Sequence, residues 1–339
     1  MYNKHIIILI TFLSLSLFEY KAQDMHFTQF YSAPLYLNPA FTGANVCSRV
    51  SMTYRNQWPG IKKTYTSYLL SADHYLPKQK IGVGLLCGAD EAGSGDLKTT
   101  IITPSIAYET KINRLTGIRF GIQPGVVFKS INYNKLLFGD QIARSGNSSP
   151  SSVTTIETQA LSRVFFDMAA GALIYNSKFW GGVSFWHLTR PNESFFEFDE
   201  AKLPLKYSVH GGGKFKQNED EKDELLKKSI SFACHYRGQN EFDQFDVGVY
   251  YTQYIFNLGL WYRGIPVLKA YKPGYQNNDA LSIIVGIQQD RFSFGYSYDY
   301  TISKLHRSTN GAHEISLSYQ FCQPKKKKNS RVLISCPKF

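Results

Sequence analysis

A ten-residue stretch near the end of the chain alternates strictly between aromatic and small or polar side chains. Residues 291–300 read RFSFGYSYDY, so Phe292, Phe294, Tyr296 and Tyr298 share one face of an extended strand. In a water-soluble protein this aromatic face would pack into a core. In an outer-membrane barrel it would face lipid, and the serine, glycine and aspartate of the other face would line the lumen.

The amino terminus favours the membrane interpretation. Lys4 and His5 precede an apolar run over residues 6–18, and residues 19–23 then turn polar. The run is shorter than the ~20 residues that a spanning helix needs, and the pattern is typical of a secretory signal peptide cleaved near Ala22 or Gln23. No other long apolar run occurs. An exported chain of this kind is either soluble outside the cytoplasm or a closed β-barrel.

About fourteen strand-like runs follow between residues 48 and 322, and the connections between them alternate in length. The short connections lie near 76–79, 111–113, 177, 253 and 290, and the long ones include 131–161, 189–204, 264–279 and 301–312. This asymmetry predicts an all-β, transmembrane antiparallel barrel with short periplasmic turns and long extracellular loops. Two connections do not fit this alternation and could mean a miscounted strand. Residues 217–227 are long where a short periplasmic turn is expected, and residues 238–241 are short where a long outside loop is expected.

The chain divides into four predicted regions: a signal peptide (1–23), an N-terminal segment (24–47), the barrel (48–322) and a basic tail (323–339). The N-terminal segment is apolar and aromatic, and it could plug the lumen, line it or bind a periplasmic partner. The tail carries six of the +12 net charges, and we interpret it as solvated or facing lipid headgroups, with no nucleic-acid partner. Cys322 and Cys336 flank the basic run and could form a disulfide in the periplasm.

Motifs for catalysis or metal binding are missing from the sequence. His313-Glu314 is not followed by a second histidine at metalloprotease spacing, and no Gly-x-Ser-x-Gly occurs. His74, His187, His210 and His235 are isolated within strand-like runs, without the clustering that a metal site requires. We predict no catalytic residue, no cofactor and no metal site, and therefore no enzyme.

Several motifs carry a family resemblance. Residues 29–43 read QFYSAPLYLNPAFTG, residues 54–60 read YRNQWPG, and residues 71–75, 138–141, 298–303, 313–317 and 336–339 add further matches. These stretches resemble the PorP/SprF family of type IX secretion system outer-membrane proteins, and the likeness covers nearly the whole mature chain. The Asn-Pro-Ala-Phe and Arg-Asn-Gln-Trp-Pro elements are its more specific parts.

The resemblance implies a non-enzymatic barrel in the outer membrane of a Gram-negative bacterium. It would support the export or surface attachment of secreted proteins with C-terminal sorting domains, gliding adhesins among them. The implied partners are those clients, the periplasmic ring and peptidoglycan-binding components of the machinery, and outer-membrane lipid. Turn shaping would also explain the prolines of the signature motifs, and a membrane-interface position would explain Trp58. The candidate partner-binding residues are Asn38, Pro39, Phe41, Arg55, Asn56, Trp58 and Pro59.

A second hypothesis is a passive channel or small-molecule transporter on the same barrel. The lumen-facing positions are rich in glycine and serine but include Arg119, Lys129, Asp246 and Arg263, which would suit an aqueous path. Both hypotheses place the same side chains against lipid. The predicted lipid-facing residues are Phe292, Phe294, Tyr296, Tyr298, Ile315, Leu317, Tyr319 and Phe321.

Overall fold

Fourteen antiparallel strands form a closed barrel in the computed structural model. It describes residues 24–45, 47–61, 65–93, 95–132, 135–136, 160–196, 200–217, 228–265, 270–272, 275–303 and 309–321. The barrel strands are β1 (Arg49–Gln57), β2 (Tyr65–Leu76), β3 (Ile81–Ala92), β4 (Leu97–Lys111), β5 (Gly117–Asn132), β6 (Ala160–Tyr175), β7 (Phe179–Trp186), β8 (Lys206–Gln217), β9 (Lys228–Gln239), β10 (Phe242–Gln253), β11 (Phe256–Gly264), β14 (Asn278–Gln289), β15 (Phe292–Thr301) and β16 (Ala312–Gln320). Two short strands, β12 (Ala270–Lys272) and β13 (Tyr275–Gln276), pair with each other between β11 and β14.

The barrel closes where its first strand meets its last. β1 pairs with β16 from Arg49 opposite Gln320 to Gln57 opposite Ala312, and every other barrel strand pairs with the preceding and the following barrel strand. Closure satisfies the backbone hydrogen bonds that an open sheet would leave exposed at its edges. The predicted fold class is confirmed, including the number of strands.

The two ends of the barrel differ in their connections. At one end, called the short-turn end, tight connections such as 77–80, 176–178 and 290–291 join the strands. At the other, called the long-loop end, the connections include 133–159 and 187–205. The two poorly fitting connections are real features rather than miscounted strands, since β8–β9 is long at the short-turn end and β9–β10 short at the long-loop end. β1 begins and β16 ends at the short-turn end.

Side chains alternate between the outside of the barrel and its lumen, as the period-two pattern predicts. On β15, Phe292 is 45% exposed, whereas Ser297 and Asp299 are buried at 1% and 2%. Apolar residues dominate the outer face and polar or charged residues the lumen, which inverts the arrangement of a water-soluble protein. Among the predicted outward residues, the structure exposes Phe292, Ile315, Leu317, Tyr319 and Phe321, and it leaves Phe294, Tyr296 and Tyr298 part-exposed.

The lumen contains residues 24–45, which we call the luminal segment. It carries a four-residue α-helix (Pro34–Leu37) and a 3-10 helix (Pro39–Phe41), and most of its side chains are buried. Within the described ranges no helix has the length and apolarity to cross a membrane. The predicted signal peptide and basic tail, together with Cys322 and Cys336, lie outside the described residues.

Candidate functional site

The luminal segment runs along the barrel from the long-loop end to the short-turn end. Its first described residue, Asp24, contacts His187 just beyond β7 and Lys206 at the start of β8. At the other end, the backbone N–H of Gly43 donates to Asp73, near the end of β2. Between these points the segment contacts strands on every side of the barrel. The lumen is therefore occupied by the chain's own residues over the described length of the segment.

Near the long-loop end, a carboxylate on the barrel wall binds the backbone of the segment. The Glu314 carboxylate accepts the N–H of Thr28 at 2.7 Å and that of Gln29 at 2.9 Å. The Thr28 hydroxyl donates to Asp299 at 2.6 Å and accepts from Arg55 and Arg263 at 2.8 Å each. We call these six residues the Thr28 network. All of them are buried, so each hydrogen bond replaces one that water would otherwise make.

The charges of the Thr28 network neutralise one another within the lumen. Arg55 pairs with Asp299 at 2.9 Å and with Glu314 at 3.1 Å. Arg263 pairs with Asp299 at 3.2 Å and with Asp246 on β10 at 2.9 Å. Burying an unpaired charge costs roughly several kcal/mol. These charged groups are therefore tolerated in the lumen only because they pair with one another. The network joins β1, β11, β15 and β16 to the segment, and Asp246 links it to β10.

Both polar atoms of the Gln29 side-chain amide form hydrogen bonds to the barrel wall. Its Nε2 donates to the Ser297 hydroxyl at 3.1 Å and to the backbone carbonyl of Glu314 at 3.0 Å. Its Oε1 accepts from the Ser316 hydroxyl at 2.7 Å. A fully buried amide with partners on both atoms fixes the position of the segment along the barrel axis.

A second charged cluster, the Asp24 cluster, lies at the mouth of the long-loop end. Both ring nitrogens of His187 lie 2.7 Å from carboxylates, Nδ1 from Asp167 and Nε2 from Asp24, and Lys206 lies 3.1 Å from Asp24. Burial alone would lower the pKa of His187, but the two carboxylates outweigh it and raise that pKa to about 9. Burial would raise the pKa of Asp24, but His187 and Lys206 hold it well below its usual range. The imidazolium can thus donate from both nitrogens.

The middle of the segment packs through aromatic rings. The centre of the Phe30 ring lies 4.9 Å from the ring centre of Trp261 and 4.7 Å from the ring centre of His235. The Trp180 indole N–H donates to the Tyr31 hydroxyl at 2.9 Å. These apolar contacts bury the aromatic rings of a segment that lies in an otherwise polar lumen.

Towards the short-turn end, the segment is held through the Asn38 side chain and through its own backbone carbonyls. Asn38 caps the 3-10 helix by accepting from the Ala40 N–H at 2.9 Å, and its Nδ2 donates to the carbonyls of Ala172 and Val183 at 3.0 Å each. Arg119, fully buried, donates to the carbonyls of Ala40 at 2.9 Å and Thr42 at 2.5 Å. Glu109 pairs with the same guanidinium.

Glycines on the wall make room for this close approach. A Cβ atom on Gly121 would overlap the backbone of Pro39, and one on Gly82 would overlap the carbonyl of Thr42. A Cβ atom on Gly171 would overlap the Asn38 side chain. The wall and the segment are therefore complementary in shape at this end.

The structure separates the candidate partner-binding residues into two groups. Asn38, Pro39, Phe41 and Arg55 lie inside the lumen, where they make the intramolecular contacts described above or pack against the wall. Asn56, Trp58 and Pro59 lie at the long-loop end, and Trp58 packs edge-on against Tyr65 with ring centres 5.5 Å apart. A role in binding partners stays a prediction for both groups.

Sequence reasoning missed the two charged clusters. Asp299 and Glu314 occupy inward positions of strands that were predicted correctly, and a charge at such a position is a signal for a luminal partner. That signal could not name the partner, because Arg55 and Asp299 are 244 residues apart in the chain.

One cysteine of the described chain is oxidised. Cys47, just before β1, is disulfide-bonded, whereas Cys87 and Cys234 are free thiols. No group of three or more metal-ligating side chains is found in the described ranges.

Comparison with known proteins gives a family and several distant structural likenesses. The chain resembles the CymD monoaromatic hydrocarbon channel (13% identity, 86% of this chain and 93% of that chain, TM-score 0.42). It also resembles a Pseudomonas aeruginosa FadL homologue (10% identity, 84% and 93%, TM-score 0.41) and the P. putida toluene transporter TodX (12% identity, 84% and 92%, TM-score 0.41). No curated protein matches it. The family model for the type IX secretion system membrane protein PorP/SprF matches residues 19–319, and the chain belongs to this family.

Proposed function

We propose that this protein is a non-enzymatic outer-membrane component of the type IX secretion system. It supports the export or surface attachment of proteins with C-terminal secretion domains, including gliding adhesins where the cell has them. Family membership supports a place in this machinery. The observation that carries the proposal further is the occupied lumen, because a barrel filled by its own chain offers its loops and turns, rather than a pore, as working surfaces.

In this proposal the long-loop end faces outward and the short-turn end faces the periplasm, as is usual for outer-membrane barrels. The exposed apolar band, which includes the predicted lipid-facing residues on β15 and β16, contacts lipid. A client docks on the long loops, where Asn56, Trp58 and Pro59 lie. The periplasmic ring and peptidoglycan-binding components contact the short turns, whose exposed side chains include Lys78, Lys80 and other cations, such as Lys111, Arg114, Lys178 and Arg291.

Deletion of the gene tests the proposal. We expect proteins with C-terminal secretion domains to disappear from the cell surface and the medium and to accumulate in the periplasm, with recovery on complementation. Quantitative mass spectrometry of the surface, secreted and periplasmic fractions measures this. An unchanged surface and secreted set would contradict the proposal.

The passive-channel alternative makes a different demand on the molecule. It requires an open path, so the luminal segment would have to leave or move aside. That would break the hydrogen bonds from the segment to Glu314, Asp299 and Arg119, although the ion pairs of these residues with the wall would remain. The loss of these hydrogen bonds and of the packed aromatic rings favours the secretion role over the channel.

A further inference from the structure

We infer that the mature amino terminus emerges at the long-loop mouth of the barrel, on the opposite side of the membrane from the carboxyl terminus. This places an accessible amino terminus on the cell surface. The inference rests on the proposed orientation, in which the long loops face outward.

The first support is the position of Asp24. Its carboxylate pairs with His187, which follows β7 in a long loop, and with Lys206, the first residue of β8. Both residues belong to the long-loop end. The Tyr36 hydroxyl binds the backbone carbonyl of Met25 at 2.9 Å and also accepts from Lys206, so the neighbouring backbone is fixed as well.

The second support is the direction of the chain after Asp24. Thr28 and Gln29 meet Arg55 and Glu314 in the half nearer the long loops, Asn38 meets Ala172, and Gly43 meets Asp73 close to the short-turn end. The described segment therefore begins at the long-loop mouth and ends near the short turns. Between these points it folds back, since Tyr31 meets Trp180 near the start of β7 and Tyr36 then returns to Met25 and Lys206.

The third support is that β1 and β16 keep the other end of the chain on the opposite side. β1 starts at Arg49 opposite Gln320, and the N–H of Phe321 donates to the carbonyl of Ser48 at 3.0 Å. The chain enters β1 and leaves β16 at the short-turn end. A terminus beyond Phe321 and a terminus before Asp24 thus start from opposite mouths.

An accessibility experiment on intact cells tests the inference. An epitope tag between Gln23 and Asp24 is expected to bind antibody on intact cells, whereas a tag after Phe339 binds only after the outer membrane is permeabilised. Amino-terminal sequencing of the untagged protein is expected to start near Gln23. Gel electrophoresis in SDS checks that the barrel of each variant has formed. A formed barrel resists SDS in the cold and changes its mobility only after heating.

Two cysteine variants separate the orientation from the inference. Lys202→Cys lies in a long loop and Lys78→Cys in a short turn, and both native side chains are exposed. A membrane-impermeant maleimide is expected to label K202C on intact cells and K78C only after permeabilisation, above the background of the parent. Failure of that pattern would overturn the proposed orientation.

If the cysteine pattern holds but the amino-terminal tag is hidden on intact cells, the inference alone is wrong. If the tagged protein does not fold, Asp24→Cys provides the same readout with a single substitution. Labelling of D24C on intact cells supports the inference, and labelling only after permeabilisation overturns it.

Discussion

The two halves of the luminal segment are held by different physical means. From Asp24 to Gln29 the wall binds the segment with ion pairs and charge-assisted hydrogen bonds from His187, Lys206, Arg55, Glu314 and Asp299. From Asn38 to Gly43 it binds the segment through backbone carbonyls and N–H groups and through glycines that let two backbones approach. Charged groups thus bind both halves, since Arg119 and Asp73 bind the second, but close backbone approach at wall glycines holds only the second half.

This difference teaches how each half would respond to change. Removing one member of a buried charge network leaves the others uncompensated, which is among the most costly single changes in a protein. Adding volume at a close backbone approach forces a displacement, which costs less but acts through sterics alone. Between pH 7 and 10 the first half should respond to pH because His187 loses its proton in this range, whereas the second half should not.

The largest expected effect comes from Arg55→Met. It leaves Asp299 and Glu314 without a cation that lies 2.9 Å and 3.1 Å away, respectively, and we expect a loss of about 3–5 kcal/mol in the free energy of unfolding. Urea unfolding in detergent measures it. Lys98→Met is the matched control, because the Lys98–Glu91 pair is half exposed and its loss should change the free energy of unfolding little. Equal effects for the two variants would contradict a dominant role for the network.

A smaller effect is expected from Gly121→Ala in the other half. The added methyl group meets the backbone of Pro39 and Ala40, which must shift, at a cost of about 1–3 kcal/mol. Gly181→Ala on β7 is the control, since its Cβ would have only an ordinary contact at 3.8 Å. If both alanine variants unfold at the native midpoint, the segment does not press on the wall at Gly121.

A pH change should separate the halves without mutation. The pKa of His187 is raised to about 9 from 6.5. Its contribution to the free energy of unfolding is therefore fully present below about pH 6.5 and is lost as the pH rises through 9. The pKa of Asp24 is lowered, so its effect on stability has the opposite pH dependence. Its contribution to the free energy of unfolding is lost only in acid, as the pH falls below 3.8. Hydrogen exchange at Met25–Phe27 should therefore be faster, relative to the intrinsic rate, at pH 10 than at pH 7, while exchange at Ala40–Gly43 is not. His187→Gln should weaken this pH dependence, which Lys206 shares as the second cation beside Asp24, and an unchanged dependence would assign the effect to another group.

The last prediction concerns connectivity rather than stability. Arg49 lies opposite Gln320, and Phe321 bonds to Ser48, so continuing the register by one pair brings position 322 opposite the disulfide-bonded Cys47. We expect non-reducing peptide mapping to join Cys47 to Cys322. A Cys47–Cys336 peptide would mean that the register ends at Phe321.

The fold was predictable because its signal is local. Period-two alternation identifies each strand, as at Phe292–Thr301, and the loop lengths order the two ends. The contents of the lumen were not predictable. Alternation places Asp299 and Glu314 inside the barrel, but their partners Thr28 and Arg55 are distant in the chain, and local pattern carries no pairing information. An apolar, aromatic segment also gives no sign by itself that it fills a polar lumen.

Planar-bilayer conductance tests the central claim, that the barrel is closed by its own amino-terminal segment. The native protein is expected to show no sustained conductance, and a variant lacking residues 24–45 is expected to conduct, provided that its heat-dependent mobility shows a formed barrel. Steady conductance of the native protein at the level of that variant would contradict the claim.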